Sequence, residues 1–328
     1  MAVCCVGGGL GAPPTLPSTG QRDLVTVGMA HPARTTSQSV EGSIATGLPA
    51  GLLHKGLTMF RCDQLTYIQM QKTGCTHIAS LLSELFDGER IGKHNAAKPD
   101  QIASDQYFVS SIRNPWDWYL SLWTFGVAGN GGLRGRLTNR QYSRALKSAA
   151  RDPLSGLSSV VRELFKGIGL WEDVYDSTDS VESFRKWLKL LHDPRRANQL
   201  GEGYGNTTIT GFCGFMTYRY LYLCCQNAKH LNDARVIGNY SDLVRFERTN
   251  CYIDFFVRQE SLEPDLCSAI EKIRQLTMEE KKLILDAKRS NASLRSLSIL
   301  DYYDSESIDL IGHRDRLLID KFNYSPPS

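Results

Sequence analysis

Leu65-Thr66-Tyr67-Ile68-Gln69-Met70-Gln71-Lys72-Thr73-Gly74-Cys75-Thr76-His77 changes its hydrophobic rhythm midway, and that change decides the fold. Leu65 to Met70 is a short run with Tyr and Ile, suited to a strand. From Thr76 to Phe86 the apolar residues Ile78, Leu81, Leu82 and Leu85 recur at helical spacing. Lys72 to Thr76 therefore forms the turn onto a helix N-terminus, where backbone N–H groups and the positive end of the dipole favour an anion. Gly74 permits a positive φ and close approach. Lys72 adds a mobile charge, and Thr73 and Thr76 add hydroxyl donors. The loop is not a Walker A motif, because residues 64–71 hold no glycine ahead of the lysine. By itself it also reads as a solvated polar turn.

A second strand candidate runs from Gln106 to Ile112, and Asn114-Pro115 then starts a helix: Asn caps, and Pro suits the first helical position. Trp116, Leu120 and Trp123 make an apolar face that reads as core. Arg113 falls at the carboxyl end of the strand, and Ser121 lies two turns into the helix. A guanidinium can grip phosphate through two parallel hydrogen bonds. Taken alone, Arg113 reads as a surface ion pair with Asp117. Strands alternating with helices predict an α/β, three-layer, P-loop-like fold with a central parallel sheet flanked by helices. Both corners then share one sheet edge, at the carboxyl ends of the strands where ligands bind. That arrangement suits a ligand with phosphates at both ends.

At these residues the chain resembles the sulfotransferases that use 3′-phosphoadenosine 5′-phosphosulfate (PAPS), in particular the bacterial and membrane-type carbohydrate sulfotransferases. Gln71-Lys72-Thr73-Gly74-Cys75-Thr76 resembles their 5′-phosphosulfate loop, commonly Pro-Lys-Thr/Ser-Gly-Thr/Ser-Thr. Arg113-Asn114-Pro115-Trp116-Asp117-Trp118-Tyr119-Leu120-Ser121 resembles their 3′-phosphate motif. Gln71 departs from the usual Pro, and Cys75 from a hydroxyl residue. Tyr252 to Leu262, ending in Arg258-Gln259-Glu260-Ser261-Leu262, resembles a late strand and turn of that group. Asn291-Ala292-Ser293 and Tyr302-Tyr303-Asp304 resemble its C-terminal segment. The plainer reading of Arg258 and Glu260 is an ion pair fixing the turn.

The resemblance implies PAPS as the sulfate donor, no metal, and sulfuryl transfer to an acceptor hydroxyl, expected on a carbohydrate. It implies that Lys72, Thr73, Gly74, Cys75, Thr76, His77, Arg113 and Ser121 surround the nucleotide. Lys72 is expected to stabilise charge on the leaving oxygen. His94, between the two corners, is expected to take the acceptor's proton, with Glu84 and Glu89 as alternatives. Two other readings stand beside this one. A P-loop-type nucleotide kinase would need the Walker A spacing and a magnesium-binding acid, neither of which is evident. A non-catalytic nucleotide-binding module would accommodate Gln71 and Cys75.

The chain has 328 residues, 41% of them hydrophobic, enough for one sizeable core. Its net charge of +3 is too mild to indicate a nucleic-acid partner. Arg134, Arg136, Arg140 and Arg144, and again Arg185, Lys186, Lys189, Arg195 and Arg196, form basic clusters. They read as solvated helix faces or as attraction for an acidic acceptor, a small molecule or a glycan. Nine cysteines lack the paired spacing of a zinc site and suit a reducing compartment. No stretch approaches the roughly 18 apolar residues of a membrane span, so a soluble, cytoplasmic protein is expected. Residues 1–56 are rich in Gly, Ser, Thr and Pro and read as a disordered leader, with organelle targeting left open. A single domain is expected over 57–328, with 126–212 as an acceptor-recognition insertion. Helices are expected near 138–150, 158–168, 181–191, 218–231 and 277–289, and a strand over 252–258.

Overall fold

The computed structural model describes residues 59–91, 96–151, 153–288 and 295–328. The expected leader, His94 and Asn291-Ala292-Ser293 lie outside the described residues. Five strands form one sheet: β1 (Phe60–Arg61), β2 (Leu65–Ile68), β3 (Glu89–Arg90), β4 (Tyr107–Ile112) and β5 (Phe255–Arg258), in the order β3-β1-β2-β4-β5. β2, β4 and β5 are parallel neighbours, with Ile68 opposite Ser110 and Ile112 opposite Arg258. The expected central parallel sheet is present in β2, β4 and β5, and one edge departs from it, where β1 runs antiparallel to both β2 and β3. Two-residue strands carry no hydrophobic period, so pairing alone creates them. The fold is mixed α/β, with a mostly parallel sheet.

The period-2 alternation of the central strands feeds two cores. Leu65, Tyr67, Val109 and Val257 pack with Ile78 and Leu82 of helix Cys75–Leu85 and with Leu266 and Ile270 of helix Leu262–Glu271. Ile68, Phe108 and Ile112 join the other core with Trp116, Leu120 and Trp123 of helix Pro115–Val127. Asn114 caps that helix by accepting from the Trp116 amide at 3.1 Å, with Pro115 at its first position, as the sequence predicts.

Trp171, Phe184, Trp187 and Leu200, from the presumed insertion, are fully buried in the second core. Trp123 Nε1 donates to the Val174 carbonyl at 2.7 Å. Residues 126–212 therefore help build the core as well as the surface. The helix expected over 218–231 runs instead over Phe215–Cys224; Asn227 takes φ +60°, and a short 3-10 turn covers Ala228–Asn232. Helix Phe215–Cys224 is buried on nearly all sides, which erases the amphipathic pattern that would mark its ends. The charged helix near 277–289 spans Met278–Leu285, capped by Thr277. Helices Tyr240–Asn250, Ser305–Arg314 and Arg316–Phe322 complete the second core.

A polar network lies inside that core. Asp315 accepts from the Tyr119 hydroxyl at 2.8 Å, the Thr217 amide at 2.9 Å and the Thr217 hydroxyl at 2.6 Å. His192 contacts the Leu188 carbonyl through Nδ1 at 2.9 Å and the Tyr119 hydroxyl through Nε2 at 3.2 Å. Burial pushes His192 down to about 4, with Arg314 adding to the effect against the Leu188 hydrogen bond. A depressed folded-state pKa contributes stability that is complete above the unfolded value and lost as pH falls toward the folded one. Protonation of His192 thus costs about 2 kcal/mol between pH 7 and pH 4.5, partly offset by Asp315, whose pKa burial raises. Urea unfolding at the two pH values should show this loss, and His192→Gln should remove it from the difference.

Candidate functional site

The carboxyl ends of β2 and β4 hold the two predicted corners side by side. The turn after β2 has two left-handed residues, Lys72 at φ +66° and Gly74 at φ +79°. A Cβ on Gly74 would lie 2.5 Å from Leu262 Cδ1, so helix Leu262–Glu271 closes the space a side chain would need. The first hydrogen bond of the following helix is Ile78 N–H to the Gly74 carbonyl, 3.1 Å. No side chain caps this N-terminus, and its first turn holds no acid. The positive end of the dipole thus meets no carboxylate from the helix's own first turn. Gly74→Ala should cost about 2 kcal/mol, combining left-handed strain with displacement of Leu262; denaturant unfolding measures it.

Thr73 is fully buried and its hydroxyl turns inward, donating to the Met70 carbonyl at 2.7 Å and meeting Ser111 Oγ at 2.6 Å. Ser111 also meets the Tyr67 hydroxyl at 2.7 Å. This buried chain of hydroxyls ties the loop to β2 and β4, so Thr73 contributes through the rigidity of the loop. Thr76 is exposed at the helix start and Cys75 is buried. His77 Nε2 lies 3.5 Å from Glu263 Oε1, on the side of helix Leu262–Glu271.

Lys72 sets its ammonium 3.9 Å above the Phe125 ring. Burial pushes its pKa down to about 8, and the neighbouring Arg113 charge adds to the fall. Arg113 links the corners directly: Nη1 donates to the Lys72 carbonyl at 3.1 Å. Its Nε donates to Asp117 Oδ2 at 2.8 Å and Nη2 to the same oxygen. The ion pair with Asp117 expected from sequence therefore forms, together with a contact to the loop. Among the described residues these bonds use three of the guanidinium's five N–H donors. Arg295 approaches Asp117 Oδ1 at 3.5 Å, so Asp117 is shared between two cations. Ser121 is buried on the same helix, two turns beyond Arg113.

Two further residues belong to this edge. Arg258 ends β5 opposite Ile112 and is exposed. Glu260 does not pair with it; Oε1 accepts from the Asn114 amide at 2.6 Å and Oε2 meets the Tyr324 hydroxyl at 3.5 Å. Glu260 thereby ties the turn after β5 to the start of the Arg113 helix, which corrects the expected Arg258–Glu260 pair.

Beside the loop, Trp118 Nε1 donates to the Gln71 carbonyl at 2.6 Å. Arg219, 5% exposed, stacks on Trp118 and Phe215, with Cζ 5.7 and 4.3 Å from their ring centroids. Its Nε and Nη2 donate to Glu202 at 2.9 and 2.7 Å, and Arg136 Nη1 lies 3.3 Å from the same carboxylate. Burial pushes Glu202 up, but Arg219 and Arg136 outweigh it and hold the carboxyl below its usual range. Three separate segments supply this cluster, so no local motif announces it. Of the alternatives to His94, Glu84 and Glu89 are both exposed.

Cys225, Glu247 and Cys251, scattered in sequence, bring their ligand atoms within 4.8 Å of one another. Among the described residues no helix is long and apolar enough to cross a membrane. No family model, curated protein or solved structure matches the chain.

Proposed function

We propose that the chain transfers a sulfuryl group from PAPS to an acceptor hydroxyl on a carbohydrate, using a three-layer, P-loop-like scaffold. The observation that carries this reading is the 3.1 Å hydrogen bond from Arg113 to the Lys72 carbonyl. It joins the two predicted phosphate corners directly, which supports a single nucleotide spanning both. The uncapped helix start and Lys72 receive the 5′-phosphosulfate; Arg113 and Ser121 receive the 3′-phosphate.

Sulfuryl transfer resembles phosphoryl transfer in needing in-line placement and charge stabilisation more than covalent help. Lys72 meets the charge growing on the bridging oxygen as the sulfuryl group leaves. His94 removes the proton of the attacking hydroxyl. Arg136 and Arg219, both paired with Glu202, form the acceptor side, and their one positive charge in excess of the carboxylate suits an acidic glycan. The cysteine usage suits the cytoplasm.

Incubation with labelled PAPS and pooled glycans should give a sulfated product, identified by mass, in the presence of a metal chelator. A phosphorylated product that requires a divalent metal would instead identify a kinase. Nucleotide binding without product across the acceptor pool would identify a non-catalytic module.

A further inference from the structure

Cys225 and Cys251 face each other across an isolated antiparallel bridge. The flanking bonds are Gln226 N–H to the Asn250 carbonyl, 2.9 Å, and Tyr252 N–H to the Cys224 carbonyl, 3.1 Å. This pattern makes the two cysteines a non-hydrogen-bonded pair, the register in which Cα atoms stand about 4.5 Å apart. That separation lies inside the range of roughly 4.4–6.8 Å spanned by disulfides. The sulfurs lie within 4.8 Å of each other, and both thiols are free.

We propose that Cys225 and Cys251 form a reversible disulfide site whose co-substrate is a small-molecule disulfide of the glutathione class. The two thiols are not equivalent. Cys251 is partly exposed, whereas Cys225 is 2% exposed. The adjacent Cys225 thiol holds Cys251 below the ordinary thiol range, and the Lys321 charge reinforces it against burial. Burial and the adjacent Cys251 hold Cys225 above that range. Cys251 is therefore the attacking thiolate and Cys225 the resolving thiol.

Cys251 Sγ attacks one sulfur of the small disulfide, forming a mixed disulfide and releasing one thiolate. Cys225 then gives up its proton and attacks Cys251 Sγ, expelling the second thiolate. Two protein thiols are oxidised, and one small disulfide is reduced to two thiols.

Glu247 does not complete a metal site here. Its Oε1 accepts from the Lys321 ammonium at 2.7 Å and from the Tyr220 hydroxyl, so the carboxylate is already neutralised. Two thiols alone fall short of the four ligands usual for structural zinc. Cys225 and Cys251 would undergo this exchange whichever group the chain transfers.

The test is alkylation and peptide mass mapping of the full chain after equilibration with mixtures of reduced and oxidised glutathione. The expected product is a cross-link between the Cys225 and Cys251 peptides that reverses with reduced glutathione. Cys225→Ser should stop at a glutathione adduct on Cys251. The wild-type map needs no variant to fold. Full alkylation of both thiols in protein that keeps its circular dichroism overturns the proposal. So does a lasting glutathione adduct on wild-type Cys251 with Cys225 still alkylatable. Stoichiometric zinc binding that shields both thiols from the oxidant also overturns it.

Discussion

Lys72→Met should lower the proposed sulfuryl transfer about 1,000-fold while the folded protein becomes no less stable. Methionine matches the length of the lysine stem and shares its cost at φ +66°, so the backbone term cancels. What is lost is the ammonium, which lies over the Phe125 ring and close enough to Arg113 to feel its charge. The apo protein holds that charge at a cost, since burial and Arg113 pull its pKa down to about 8. Removing it relieves the cost, so the thermal midpoint of the variant should be equal to or above that of wild type. A loss of turnover joined to a gain of stability separates a working group from a structural one. The same depression sets a pH dependence. Nucleotide affinity should change little between about pH 7 and 8 and should approach a tenfold fall per pH unit above that, as Lys72 deprotonates in the free protein. The fall should be absent from Lys72→Met.

Arg113→Ala should weaken the proposed binding of 3′-phosphoadenosine 5′-phosphate about 100-fold. The guanidinium is positioned by Asp117 and by the Lys72 carbonyl before any ligand arrives, so little ordering is needed on binding. Arg113→Lys should recover only part of the loss, because an ammonium cannot span Asp117, the loop carbonyl and a phosphate with one planar fork. Calorimetry reads both variants, and thermal melting checks that Asp117, left with Arg295, does not unfold the corner.

Much of this edge is legible in the sequence because it is local. Each corner is a strand, a turn and a helix within one short stretch, and Asn114-Pro115 marks its helix start without ambiguity. The contents of the turn are less legible. Thr73 reads as an outward donor, yet its hydroxyl is drawn inward by Ser111, which is distant in sequence. Glu260 reads as a partner for Arg258, yet it holds the Asn114 amide across the sheet edge. The Arg219–Glu202–Arg136 cluster and the Cys225–Cys251 pair are assembled by tertiary packing alone, and no spacing rule reaches them. The edge strands β1 and β3 fail for the related reason that two residues have no period.

The central claim is that one nucleotide spans the Lys72 loop and Arg113. The most direct measurement is a calorimetric cycle that compares 3′-phosphoadenosine 5′-phosphate with adenosine 5′-phosphate, on wild type and on Arg113→Ala. Deleting the 3′-phosphate should weaken wild-type binding about 100-fold and leave the affinity of Arg113→Ala nearly unchanged. An equal penalty in both proteins, or none in wild type, would contradict the account.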